Sequence, residues 1–232
     1  MALLWDGIRN AFLMLFSGNP DVWEVTFLSL KVSTLATGIS LLIGLPLGTW
    51  LALGQFQSRG FILSFVNTGM ALPPVVVGLF VSIMLWRSGP LGGMRLIYTP
   101  TAIVIAQTVI SFPVVTGLTA AALQQLNPRL RLQILGLGAS RMQMVLALWR
   151  EARLPLLAAL MAGFGSVISE VGASMMVGGN IRHQTRVLTT AIVLDTNQGE
   201  FAQAIALGLI LLLLAYLVNL ALTMIQQRGV RK

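Results

Sequence analysis

Five long apolar runs divide the chain, and short polar stretches separate them. They cover residues 25–53, 61–86, 101–123, 154–177 and 201–225. A bilayer core about 30 Å thick takes about 20 helical residues, so each run reads as a membrane-spanning helix. The expected fold class is an all-α membrane bundle of about five spans, connected by residues 54–60, 87–100, 124–153 and 178–200.

The runs differ in what interrupts them. Run one holds a single charge, Lys31, near one end where it can snorkel. Its Gly44 and Gly48 are four apart, on one helix face, and permit close helix contact. Pro46 between them predicts a kink. Run two contains Pro73-Pro74, which removes two backbone donors at mid-depth. A break there survives only where protein or a watery cavity satisfies the freed carbonyls, a first pointer towards a pathway. Run three carries Gln107, Ser111 and Pro113, run four carries Glu170, and run five has no charge.

Residues 1–17 do not read as a cleavable signal peptide, because Asp6, Gly7, Arg9 and Asn10 break the apolar stretch, and residues 1–20 are expected to form an N-terminal interfacial segment. Leu3, Leu4, Trp5, Ile8 and Leu15 predict an amphipathic helix lying at the membrane interface. Residues 21–226 then form the transmembrane domain, with 124–153 as a cytoplasmic loop inside it and 227–232 as a basic tail.

Within 124–153, Asn127-Pro128 reads as a helix cap followed by proline at the first helical position. The helix weakens at Gly136 and Gly138, and Ser140 and Gln143 have the spacing of a capping box for a second one. That second helix is expected to present Met142, Val145, Leu146 and Trp149 on one side. Two short helices around a glycine elbow make a rigid knob. It is either an amphipathic hairpin on the membrane or a docking lever whose displacement tilts the spans on either side.

Composition agrees with lipid as the solvent: 56% of the 232 residues are hydrophobic and only 9% are charged, against about a quarter in soluble domains. Fifteen Lys+Arg against seven Asp+Glu give a net charge of +8. No basic run is interleaved with aromatics, so this excess marks loops and lipid headgroups, not nucleic acid. Arg59, Arg129, Arg131, Arg141, Arg150, Arg153, Arg228, Arg231 and Lys232 fall on one side. Arg9, Arg87, Arg95, Arg182 and Arg186 fall on the other. The richer side is expected to be cytoplasmic, which puts the N-terminus outside and the C-terminus inside.

Several strings resemble a known family. Leu137-Gly138-Ala139-Ser140-Arg141, followed by Leu154-Pro155, resembles the coupling loop of ABC-importer permeases. Leu132-Gln133-Ile134 stands where that loop carries Glu-Ala-Ala, and the distance from Gly138 to Pro155 is about one helical turn longer than the family pattern. Residues 28–33 (LSLKVS) and 72–78 (LPPVVVG) are similar to the molybdate/tungstate branch. Residues 168–173 (ISEVGA) and 175–181 (MMVGGNI) are most similar to its tungstate members.

The resemblance implies a type I importer permease acting as a homodimer in a bacterial or archaeal cytoplasmic membrane. It implies cytoplasmic ATPase subunits that hold ATP and Mg, an extracytoplasmic substrate-binding protein, and tungstate as the transported oxyanion. Molybdate or another oxyanion is the alternative. Leu137, Gly138, Ala139, Ser140, Arg141 and Met142 would couple to the ATPase.

Candidate chemistry is sparse. Pro73, Pro74, Glu170, Gly172 and Ser174 are the pathway or gate candidates. Glu170 either accepts hydrogen bonds from a broken helix near Pro73-Pro74 or acts as a gate element. Arg182 and Arg186 would form a cationic outer vestibule or a solvated charge cluster, and Thr185 is placed to cap a short helix through Val187, Leu188, Ala191 and Ile192. Without cysteine or a second histidine, His183 is a poor metal ligand, and no cofactor is expected on this chain. There is no catalytic set and no phosphate loop, so the chain is not an enzyme and energy must come from another polypeptide or an ion gradient. An ATP-independent channel or secondary transporter is the competing class, and it would need ion-coupling charges and an internal repeat.

Overall fold

A computed structural model describes residues 20–228 together with residue 5, residues 7–9 and residue 13. From residue 20 on, ten α-helices and one 3-10 turn follow in order: α1 Pro20–Leu53, α2 Arg59–Met70, α3 Pro74–Leu85, the 3-10 turn Gly92–Met94, α4 Pro100–Gln124, α5 Pro128–Gly136, α6 Arg141–Glu151, α7 Arg153–Ile168, α8 Gly172–Gly178, α9 Leu188–Asn197 and α10 Phe201–Arg228. The described residues contain no strand. Leu3, Leu4, Leu15, Arg231 and Lys232, on which the interfacial helix and the basic tail partly rest, lie outside them. Of the N-terminal segment, Trp5 and Ile8 are exposed, and Gly7 sits so close to Ile205 of α10 that a side chain would collide with it.

The helix α4 is the axis of the bundle. Pro100 occupies its first turn, where the missing N–H costs nothing, and the Thr99 hydroxyl accepts from Ala102 N. Helix α1 runs parallel to it on a face of small residues, from Ser40 at Thr108 to Leu51 beside Ala120. A Cβ on Gly44 would lie 2.9 Å from Val115 Cγ1, and one on Gly48 would lie 2.6 Å from the Thr116 carbonyl. The two glycines therefore serve the close contact that their spacing predicts. Helix α1 continues through Pro46 as a single element.

Helices α1, α4 and α10 are each long and apolar enough to cross a membrane, and α2 with α3 makes a further candidate span bent by 100°. The bend falls at residues 71–73, where Pro73 cannot donate to a helix and Pro74 begins the next one. Helix α2 packs on the later half of α4 through Gly69 against Pro113 and Met70 against Gly117. Helix α3 packs on the earlier half, with Val77, Val81 and Leu85 buried beside Ala102, Ile103 and Ala106.

Run four departs from a single helix. Helix α7 has 16 residues, about 24 Å of rise, and stops at Ile168. Helix α8 resumes at Gly172. Together they follow α4 antiparallel over its length: Leu156 lies in the cluster around Leu123, Gly163 meets Ser111 and Val115, and Gly178 meets Ile103. The break was not legible as such in the apolar pattern, because Ser169 and Glu170 interrupt it for only two residues.

Candidate functional site

Two broken spans meet halfway along α4. Gly172 lies against Val75, so that a Cβ there would sit 2.6 Å from Val75 Cγ2, and Gly78 lies equally close to the Ala173 backbone. The Pro73-Pro74 break and the Glu170 break are therefore neighbours, and four of the pathway candidates (Pro74, Glu170, Gly172, Ser174) cluster around one contact between α3 and α8. Pro73, Pro74, Val75 and Val76 are exposed, and the acid beside them is buried.

Glu170 is 5% exposed and spends its carboxylate on its own chain. Oε1 accepts from Ala173 N at 2.7 Å, and Oε2 accepts from Ser174 N at 3.0 Å and from Ser174 Oγ at 2.9 Å. These are among the first donors of α8, which have no partner inside the helix, and an anion is favoured at that end. The donors come from α8 itself and not from the helix that follows Pro73-Pro74. The sequence reading missed the supporting shell: Thr189 Oγ1 donates to the Glu170 carbonyl at 2.8 Å, and Gln107 Nε2 donates to the Val167 carbonyl at 3.3 Å. Both are polar side chains in apolar company, the one sequence signal that marks them.

At the other end of the bundle the predicted knob is present. Asn127 Oδ1 accepts from Arg129 N, and Ser140 and Gln143 form a reciprocal capping box. Gly138 turns the chain at φ +84°, a left-handed conformation in which a Cβ is disfavoured. Leu137 is 88% exposed and Met142 68% exposed; Gly138, Ser140 and Arg141 are exposed beside them, with Ala139 half-buried.

The face of α6 is split, which corrects the expected single stripe: Met142 and Leu146 point outward, whereas Val145 and Trp149 pack with buried Met144 and Leu148. That cluster also takes in Ala52 and Leu53 of α1 and Leu123 of α4. Two polar contacts reinforce it: Trp149 Nε1 donates to Thr49 Oγ1 at 2.9 Å, and an Arg131 guanidinium N donates to the Leu53 carbonyl at 3.0 Å. The knob is thus seated on α1 as well as on the two spans that flank it in sequence.

The outer candidates are placed differently from a bare cationic vestibule. Arg182 is ion-paired with Asp21, and His183 Nδ1 lies 2.8 Å from Glu24 Oε2. The fold sets His183 beside two acids from the start of α1. Asp21, Glu24 and His183 bring one metal-ligand atom each within 4.8 Å of one another. Within that cluster Arg182 neutralises Asp21. Arg186 is half-buried, with Nε unpartnered, and its charge opposes the rise that burial imposes on the Asp195 carboxyl.

Thr185 does not cap the following helix. Its hydroxyl donates to the Gly178 carbonyl at 2.6 Å and accepts from Ile181 N. Thr190 accepts from Val187 N instead, and Leu188 N donates to Ser29 Oγ of α1.

Residues 44–231, which include both breaks and the knob, match the model of the family described as the binding-protein-dependent transport system inner membrane component. The chain belongs to this family. It is 38% identical to the tungstate uptake system permease protein TupB of Peptoclostridium acidaminophilum, over 98% of this chain and 100% of the relative. It is 36% identical to the TupB of Campylobacter jejuni, over 93% and 90% of the two chains. The molybdenum transport system permease protein ModB of Escherichia coli K12 is more distant, at 29% over 83% and 91%.

Among solved structures, a chain of the inward-facing MetNI methionine ABC transporter superposes with TM-score 0.73 at 22% identity, over 93% of this chain and 97% of that one. The family's fold, an all-α permease of the type I importer class, is therefore the fold of this chain. The chain is a transport component of the inner membrane and not an enzyme.

Proposed function

We propose that the chain is the transmembrane subunit of an ATP-driven importer of tungstate, working as two copies side by side. The observation that carries the substrate is full-length similarity to tungstate permeases, against a weaker one to molybdenum permeases. In this reading the exposed apolar tip formed by Leu137 and Met142 enters a cleft on a cytoplasmic ATPase. Ala139, Ser140 and Arg141 complete the contact, and ATP and Mg are held by that partner. A substrate-binding protein delivers the oxyanion on the opposite side. The N-terminus is outside and the C-terminus in the cytoplasm, as the basic-residue bias favours.

The exposed Pro73-to-Val76 stretch faces the second copy, and the pathway lies between the two. Glu170 does not ligate the anion. Its charge is spent on α8, so the anion meets uncharged backbone and apolar side chains rather than a like charge. ATP-driven closure moves the knob, and the knob carries α1, α4 and α7 with it through the shared cluster around Leu123 and Leu148.

The test is ATPase activity and uptake by the reconstituted complex with tungstate, molybdate and sulfate. Stimulation and uptake favouring tungstate are expected. Transport by this chain with no ATPase present would overturn the reading.

A further inference from the structure

We propose that the loop between α3 and α4 is a docking pocket for an acidic segment of the substrate-binding protein, and that Tyr98 passes the load of docking to α8. The inference rests on the importer reading above and adds where the outer partner binds and how it reaches the pathway.

The pocket is a cavity of about 810 Å³ lined by Leu85, Trp86, Arg87, Arg95, Ile97 and Tyr98, together with Gly92 and Gly93. Its charge is uncommitted. Arg182 is paired with Asp21 and Arg186 sits near Asp195, but neither the Arg87 nor the Arg95 side chain makes a hydrogen bond or ion pair among the described residues. Both are exposed.

The walls are aromatic and apolar: Trp86 and Tyr98 meet edge to face at 6.2 Å, and Leu91 and Met94 on the same loop are also exposed. Trp, Tyr and Arg in one place is the composition of protein-binding hot spots. A single tetrahedral oxyanion would leave most of this volume to water, whereas a peptide segment of several residues can occupy it.

The loop is built to hold that shape. A Cβ on Gly89 would lie 2.1 Å from the Ile83 carbonyl, and one on Gly92 would lie 2.2 Å from the Trp86 carbonyl, so the chain doubles back on itself. Arg95 and Tyr98 both adopt left-handed backbone, at φ 52° and 61°, a cost that clusters at binding and switch sites. A rigid loop presenting exposed guanidiniums loses little on binding.

It also connects directly to the broken span. Tyr98 N donates to the Val177 carbonyl at 2.9 Å, and the Tyr98 ring rests on Gly179, where a Cβ would collide with it. Helix α8, which ends there, starts at the Glu170 cap beside Pro73-Pro74. Pressure on the loop therefore moves α8 as a unit.

The experiment uses the complete complex, reconstituted with its ATPase and its tungstate-loaded binding protein, and reads ATPase stimulation against binding-protein concentration. Arg87→Glu with Arg95→Glu should raise the half-maximal concentration by at least about tenfold and flatten its salt dependence, with basal ATPase unchanged. The milder Arg87→Gln/Arg95→Gln pair should shift it in the same direction. Tyr98→Ala should keep the half-maximal concentration and lower the maximal stimulation.

A wild-type response from both arginine pairs overturns the proposal. So does a defect in the arginine variants that varies with the anionic lipid content and not with the binding protein, which would make the pocket a headgroup site. Loss of direct tungstate binding in the absence of the binding protein would also overturn it, in favour of a free-anion site. A wild-type complex that the loaded binding protein does not stimulate sinks the tungstate reading itself, and this proposal with it.

Discussion

Glu170 shows how a charge lives inside an apolar span. A carboxylate in lipid is expensive, but this one is buried in protein and accepts three hydrogen bonds from the helix that follows it. Glu170→Ala leaves the Ala173 and Ser174 N–H groups without that acceptor, at about 1–3 kcal/mol for each unmatched buried donor. The expected result is a lower thermal midpoint of the purified chain in nanodiscs, with Glu170→Gln in between because one carbonyl acceptor remains. An unchanged midpoint with abolished uptake would instead make the carboxylate a gate element.

Asp195 behaves oppositely. It lies on α9, outside the candidate spans, with Oδ2 buried and without a hydrogen-bond partner among the described residues. Burial raises its carboxyl above the ordinary 3.8, Arg186 opposes the rise, and Glu200 adds to it. A raised folded value means that the native state holds the proton longer than the unfolded chain. Its contribution is present at low pH and lost as pH climbs through the window above 3.8. Melting curves should show Asp195→Asn gaining stability over the wild type as pH climbs through that window. A constant difference at all pH values would refute this.

At the scale of elements, glycine decides the geometry of the knob, by backbone conformation and not by space. A Cβ on Gly138 meets nothing within 4 Å, yet its φ is +84°. Gly138→Val should therefore cost about 1–2 kcal/mol in the turn alone, re-aiming Leu137 and Met142 with no clash anywhere. Uptake should fall while membrane insertion is retained. Gly136→Ala, at the end of α5 with open space around it, should leave uptake intact. Equal loss from both substitutions would show that the docking surface, not the turn, is what the glycines serve.

Across the whole molecule, the knob is tied to a helix far from it in the chain. Trp149 reaches Thr49 across 100 residues, and Arg131 reaches Leu53 across 78. Motion of the knob is thereby shared with α1. Trp149→Phe removes a bond of about 0.5–1.5 kcal/mol and keeps the packing. Binding-protein-stimulated ATPase should persist while the tungstate moved per ATP declines. Thr49→Val should do the same, and the double variant no more than either alone. An unchanged ratio in all three would leave α1 out of the coupling.

The all-α membrane class, the Gly44/Gly48 contact face, the break at Pro73-Pro74, both caps of the knob and the family itself could be read from the chain. Each is a local property, because apolar period, proline's missing donor and cap spacing act within a few residues. Run four hid its break, since a carboxylate can end one helix and begin another without a proline at that point. Only tertiary packing decided which α6 side chains face out. It also decided that Arg182 and His183 meet acids about 160 residues away, and that the Arg87 and Arg95 side chains, without a partner among the described residues, line a pocket joined to α8. Pairing between distant charges depends on where the helices bring them, and no pattern along the chain encodes that.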